Sequence, residues 1–395
     1  MTRKALFAFC ILHFAFCFSV AAGTAEEAIL EATTTRPFDK ALWFILIEDE
    51  HGTVLHELNS DRLAIPASVR KLFSGSAAAQ CLGYNRQFTT EFWIDHGDIV
   101  MRGDGDPSFG SDRYGHSAPF APVLSELKRR RIRSVRDVVA DVSLFDRVTI
   151  PYQWKVGNLT SDFATPVDAI AYRENEIDNA AVPSPAIFAA QALRDTLREA
   201  GIEVTGRIRV EWEPRVGGER IAAVRSPFLQ HMLYAVFRNS HNLYAEMLLK
   251  RMSAGDEPAS YSKSLEIERD FLVNDVGIDE SEFRFVDGSG LASDDLVTPV
   301  AIVKMLRWMD APQRRGIYRD LLAAGGVSDG TLRNRFKDLG ERVHAKTGSV
   351  AGVNALAGIV TTRDGKPRYF AIIVNHHTGA GAIGLIDAIV TALAD

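Results

Sequence analysis

Three cysteines in 395 residues are too few for a disulfide framework, and neither a Cys-x-x-Cys nor a His-Glu-x-x-His run marks a zinc site. Basic charge is not in excess: 45 Lys and Arg stand against 51 Asp and Glu, a formal net charge of −6. Such a chain lacks the basic surface that a phosphate backbone requires, which excludes nucleic acid as its main partner. After residue 25 no stretch reaches the roughly 18 uninterrupted apolar residues of a membrane span. Internal repeats and low-complexity linkers are absent too. What is present is 46% hydrophobic and 24% charged residues, a globular composition, at a length that suggests two or three domains.

Residues 1–25 read as an export signal. Arg3 and Lys4 give a positive start, Ala5 to Val20 is almost wholly apolar, and small residues allow cleavage after Ala22 or Ala25. An uncleaved anchor is the alternative, but no stop-transfer pattern follows. Cleavage leaves Cys81 as the one cysteine, in an apolar helical stretch where burial is expected. No stable membrane anchor is expected, and the location implied is periplasmic.

The hydrophobic pattern divides the chain. Leu42 to Ile47 is a strand-length apolar run, with Thr53 to Glu57 able to pair back on it. A helix is predicted from Ser68 to Leu82, stopped by Gly83. Residues 85–220 mix short strands (88–94, 99–102, 137–142, 204–212) with helices at 122–131 and 186–200. From Pro227 the spacing of three and four is helical: 227–238, 243–252, 261–276 and 300–309. Strands return at 343–346, 355–361 and 368–375, followed by an apolar helix over 382–394. The fold expected is α+β. Its central antiparallel sheet comes from both chain ends (26–84 and 221–395) beside a helical lobe, and 85–220 is a smaller inserted α/β domain.

Three short motifs could carry chemistry. Ser68-Val69-Arg70-Lys71 puts an amine one helical turn from a hydroxyl, where a neutral lysine can take the serine proton. The same spacing recurs at Ser125–Lys128 and Ser260–Lys263, in polar stretches that read as solvated helix faces. Ser240-His241-Asn242 read alone is a helix cap. Lys346-Thr347-Gly348 read alone is a strand end.

Taken together and in this order, the motifs resemble the signature of the active-site serine penicillin-recognising enzymes. Asp287-Gly288-Ser289-Gly290-Leu291, Asp329 to Phe336, Ser240 to Glu246, Gly103 to Pro107, Pro183 to Ala186 and Ala345 to Ala357 narrow the resemblance. They are similar to the penicillin-binding protein 4 type of D-alanyl-D-alanine carboxypeptidase, over nearly the whole chain past the signal. The resemblance implies a periplasmic serine peptidase acting on peptidoglycan stem peptides that end in D-Ala-D-Ala, able also to cut cross-links, and covalently inhibited by β-lactams.

The resemblance also implies roles for single residues. Ser68 would be the nucleophile and Lys71 its base, with a pKa lowered by burial and by the charge of Lys346. Ser240 would relay the proton, and Asn242 would hold Lys71 and the substrate amide. Lys346 and Thr347 would receive the terminal carboxylate, and Gly348 would let the strand approach the substrate. The N–H groups of Ser68 and Ser349 would form the oxyanion hole. No metal and no cofactor is expected. Arg70 and Ala292 depart from the family pattern, His241 fills a position that varies, and the join from Asn175-Glu176 to Val182-Pro183 is abrupt, as if a nested domain were missing. A serine β-lactamase is the first alternative, although no Glu-x-x-x-Asn loop lies between Ser240 and Lys346. A catalytically silent penicillin- or murein-binding protein is the second. The oligomeric state is not legible.

Overall fold

The computed structural model describes residues 24–214 and 217–395. The expected export signal therefore lies outside the described residues, except for Thr24 and Ala25. These open the helix Ala25–Thr34, where Thr24 and Glu27 form a capping box. Cleavage after Ala22 keeps that box and cleavage after Ala25 removes it.

A six-stranded antiparallel sheet draws on both ends of the chain. Its order is Ala323–Ala324, Val343–Val350, Val353–Thr361, Pro367–Asn375, Leu42–Glu48 and Val54–Leu58. Leu42–Glu48 is sequential in apolar residues because both of its faces are covered. Trp43, Ile45 and Ile47 meet Ile386 and Ile389 of the C-terminal helix Ala382–Leu393. Phe44 and Leu46 face the opposite core, with Val69, Leu72 and Phe73. That second face carries the helical lobe: Lys71–Leu82, Leu229–Phe237, Asn242–Arg251, Tyr261–Phe271 and Pro299–Met309.

Inserted in sequence between the Lys71–Leu82 and Leu229–Phe237 helices is a five-stranded mixed sheet. Its order is Ile208–Glu211, Val138–Asp141, Asp98–Arg102, Thr89–Asp95 and Glu219–Arg225. Helices Ala121–Arg129 and Pro185–Glu199 pack on its core.

Several sequence expectations are corrected. The run 204–212 is two strands, Glu203–Val204 and Ile208–Glu211, because the N–H groups of Thr205 and Gly206 turn away to the carbonyls of Val135 and Arg136. The inserted sheet takes in Glu219–Arg225, past the expected boundary at 220. Cys81 is exposed, not buried, since the last turn of its helix leaves the core. The helix predicted from Ser68 begins as a 3-10 turn, Ala67–Arg70, and becomes α-helical at Lys71. The abrupt join is closed by a tight hairpin: Glu176–Ile177 pairs with Ala180–Ala181 across Asp178 and Asn179, both with positive φ (52° and 62°).

Candidate active site

Ser68 sits in the 3-10 turn, directly after Ala67, whose φ is 47°. A left-handed alanine is sparsely populated and persists only where its surroundings fix it. Gly290 supplies part of that fixation. Its φ is +79°, and a Cβ there would stand 2.0 Å from the Ala67 carbonyl oxygen. Gly348 does the same from the strand side, where a Cβ would be 2.5 Å from the Pro66 oxygen. The glycine of Lys346-Thr347-Gly348 thus lets the strand close on the turn that carries Ser68, a contact that the expected approach to substrate did not include. Gly290→Ala is expected to displace this turn and slow penicillin acylation about 100-fold. Stopped-flow labelling checks it, and an unchanged rate would remove the fixation argument.

The side chains named from sequence come together as follows. Lys71 Nζ donates to Ser68 Oγ at 2.9 Å, to Asn242 Oδ1 at 2.6 Å and to the Ser289 carbonyl at 2.7 Å. Lys346 Nζ donates to Ser240 Oγ at 2.7 Å and to the Thr347 carbonyl at 2.8 Å. Both lysines are fully buried. Burial pushes the Lys71 ammonium down to about 7; Asp287 and Glu246 oppose this, and the Arg70 charge adds to it. Lys346 is held well below the usual lysine range by burial first and by the charge of Lys71 second.

Ser240 is left-handed, with φ 63°. It ends the turn after helix Leu229–Phe237 and precedes helix Asn242–Arg251, where the His241 N–H bonds the Ala235 carbonyl at 2.8 Å. Ser349 accepts from Asn354 Nδ2 at 3.2 Å. A cleft of about 370 Å³ joins Ser68, Ser240, Asn242 and Ser349, with Lys155 and Phe163 reaching in from the inserted segment. The strand Val343–Val350 pairs with Ala323–Ala324 only through Ala345 and His344. The edge of Lys346–Val350 beyond that pairing can accept an added peptide strand. The other Ser-x-x-Lys pairs show no such site: Ser125 and Lys128 face solvent, Ser260 caps its helix, and Lys263 pairs with Glu257.

Asp287-Gly288-Ser289-Gly290-Leu291 forms the wall behind Lys71. Asp287 accepts from the N–H groups of Ser289, Gly290 and Ala292 and from Trp154 Nε1 at 2.9 Å. Ala292 contributes its backbone to this loop while its methyl is buried beside Trp154. Glu246 accepts from the Gly288 and Ser289 N–H groups at 2.9 and 2.8 Å. Burial and the Asp287 charge push its carboxyl up to about 8.

Arg70 is explained. Its guanidinium is fully buried, makes paired 2.5 Å hydrogen bonds to Glu268 and lies 3.8 Å from the Phe285 ring centroid. It is tied to helix Tyr261–Phe271 and makes no hydrogen bond to Ser68. Removing one member of a buried ion pair leaves the other uncompensated. Arg70→Ala is expected to lower the unfolding free energy by about 3–5 kcal/mol, read by denaturant titration. A change within about 0.5 kcal/mol would mean that the pair is not structural.

Sequence reasoning missed Glu174, the Phe163 carbonyl, Glu268 and the hub role of Asp287. The Phe163 oxygen accepts from Asn242 Nδ2 at 2.7 Å, which orients the amide so that Oδ1 faces Lys71. A backbone acceptor leaves no sequence signal. Glu174 lies beside the flagged join at 175–176, but nothing in its spacing pointed to the site.

The profile of the D-Ala-D-Ala carboxypeptidase 3 (S13) family matches residues 26–184 and 174–395, the two stretches overlapping at the Glu176–Ala181 hairpin. Carboxypeptidase DacB of Mycolicibacterium smegmatis is 30% identical over 350 residues, covering 82% of this chain and 74% of that protein. The D-alanyl-D-alanine carboxypeptidase of Actinomadura sp. strain R39 is 24% identical over 89% of this chain and 80% of its own length. The crystal structure of penicillin binding protein 4 from Haemophilus influenzae superposes with a TM-score of 0.82 at 21% identity, covering 92% of this chain and 98% of that one. With its fold, its cleft and these likenesses in agreement, the chain belongs to the D-Ala-D-Ala carboxypeptidase 3 (S13) family.

Proposed function

We propose that Ser68 is the nucleophile of this serine D-Ala-D-Ala carboxypeptidase and that Lys71 is its base. The observation that carries the reading is the 2.9 Å contact between the Lys71 amine and Ser68 Oγ, in a site where burial brings that amine to about 7. A lysine that is half neutral near pH 7 can take the serine proton as Oγ attacks the carbonyl of the penultimate D-alanine. The N–H groups of Ser68 and Ser349 receive the developing oxyanion. Ser240 relays the proton that Lys71 took to the departing D-alanine nitrogen, which leaves Lys71 neutral again, and the C–N bond breaks to leave the acyl-Ser68 ester. Water then adds to the ester, and its proton returns through Lys71 to Ser68 Oγ.

Lys346 and Thr347 receive the substrate carboxylate. Buried and without an anion, the Lys346 ammonium is disfavoured; an arriving carboxylate restores its charge, so recognition and charging are coupled. Asn242 orients Lys71, and the stem peptide adds along the Lys346–Val350 edge. β-Lactams acylate the same serine. The Haemophilus influenzae protein has been solved in complex with a β-lactam and has the same fold, at TM-score 0.74. We place the enzyme in the periplasm after export. Residues 26–84 and 221–395 form the catalytic unit, and 85–220 form the inserted one, with the Glu219–Arg225 strand joining the latter.

Purified protein is treated with a fluorescent penicillin and then given a pentapeptide ending in D-Ala-D-Ala. Stable labelling together with D-alanine release supports the reading. Rapid penicillin turnover favours a β-lactamase, and labelling without release favours a silent binding protein. Arg70, the residue that raised the silent alternative, is engaged with Glu268. Cross-link cleavage is a further activity: a predatory peptidoglycan endopeptidase from Bdellovibrio bacteriovorus has the same fold, at TM-score 0.55 and 18% identity. Digestion of isolated peptidoglycan checks it by the appearance of monomeric muropeptides.

A further inference from the structure

The carboxylate of Glu174 takes no part in the steps above, yet among the described residues it accepts five hydrogen bonds. Glu174 lies in the inserted segment on a turn where Arg173, Glu174 and Asn175 have φ of 50°, 57° and 57°. Consecutive left-handed non-glycine residues persist only where the surroundings over-determine them. Its Oε1 accepts from Ser111 Oγ at 2.7 Å, Arg113 Nε at 3.0 Å and the Tyr244 hydroxyl at 2.9 Å. Its Oε2 accepts from Arg113 Nη2 at 3.3 Å and from His241 Nε2 at 3.0 Å. The His241 nitrogen facing a carboxylate must carry its proton, and Nδ1 has no hydrogen-bond partner among the described residues. Burial raises the Glu174 carboxyl, but the hydrogen bonds and charges of His241 and Arg113 outweigh it and hold the group far below the usual carboxylate range.

His241 is the residue between Ser240 and Asn242, and Tyr244 stacks edge-on against it at 4.8 Å. The inserted segment meets this helix and turn at other points too: Arg113 Nη1 donates to Asn239 Oδ1 at 3.4 Å, the Tyr114 ring lies 6.3 Å from that of Tyr244, Phe163 holds the Asn242 amide, and Asp146 and Asp104 pair with Lys250 and Arg251 at the far end. Glu174 grips the turn at its centre, through His241 and Tyr244. We propose that Glu174 is a positioning residue for acyl transfer: through His241 and Tyr244 it fixes the turn that holds Ser240 against Lys346 and Asn242 against Lys71. The proposal rests on the reading of Ser68 as the acylated serine. It gives the inserted segment a part in catalysis apart from any contact with substrate.

The test uses the full chain and a fluorescent penicillin, with rates over a range of concentrations so that the first-order acylation constant separates from half-saturation. Glu174→Gln keeps the shape and replaces an acceptor oxygen by a donor. It is expected to lower the acylation constant about 100-fold while half-saturation moves less than about threefold. A merely structural role would instead lower the fraction of protein that labels and leave the constant unchanged. His241→Ala is expected to match that loss. His241→Gln, whose amide can still donate to Glu174, is expected to recover most of it. A Glu174→Gln constant within about twofold of the parent's overturns the proposal. So do equal constants in the two His241 variants, which also decide the case if Glu174→Gln does not fold. A parent protein that never labels overturns the Ser68 reading and this proposal together; a labelled parent with an unaffected Glu174→Gln variant overturns this proposal alone.

Discussion

Ser68→Ala is expected to give a folded protein that neither takes up penicillin nor releases D-alanine, with kcat reduced about a millionfold. The size follows from the site. Acyl transfer through an enzyme ester has no route without the hydroxyl, and the remaining groups can bind substrate but cannot form the ester. Stability should change little. Ser68 is only half-buried, and Oγ accepts one hydrogen bond, from Lys71, which keeps Asn242 and the Ser289 carbonyl as partners. Losing one hydrogen bond of this kind costs about 1 kcal/mol. D-alanine release and a thermal melt on the same sample check both halves. Residual turnover within about a hundredfold of the parent's would mean that another group attacks.

The second large effect belongs to Lys71. Lys71→Met fills nearly the same volume without an amine, and acylation is expected to fall about 1,000- to 10,000-fold, the upper range for loss of a general base. The pH profile separates this from a packing effect. The acting form is the neutral amine, and burial places its titration at about 7. As pH falls below that value the amine is protonated and cannot accept the Ser68 proton. Acylation by the parent should therefore drop about tenfold per pH unit on the acid side. As pH rises above about 7 the limb should level. The methionine variant should lose the limb as well as the rate. A parent profile flat from pH 5 to 8 would exclude a lysine base with this titration.

Much of this site was legible because its chemistry is local in sequence. The Ser68–Lys71 pair is one helical turn, so spacing alone brings the two atoms together. Ser240 and Asn242 share one turn, and Lys346 to Gly348 share one strand. What holds these pieces to one another is not local. Glu268 meets Arg70 across 198 residues of sequence, and Phe163 meets Asn242 across 79, the latter by a carbonyl that every residue type possesses. Arg70 read as an anomaly because its partner lay in another helix. The central strands were visible as apolar runs because helices cover both faces of that sheet. Glu219–Arg225 was missed because only Ile221 of its seven residues is buried and its charges stand at the two ends, which leaves no apolar run and no regular alternation to mark a strand. The helix predicted from Ser68 starts as a 3-10 turn because Ala67 is held left-handed by groups from Gly290 and Gly348, which no local propensity encodes.

The most direct test is the location of the penicillin adduct. The parent protein is saturated with benzylpenicillin, digested, and its peptides are mapped by tandem mass spectrometry. One penicilloyl group per chain, on Ser68 and absent from Ser240 and Ser349, is the expected result. An adduct on another residue, or an unmodified Ser68 in protein that releases D-alanine, would contradict the account.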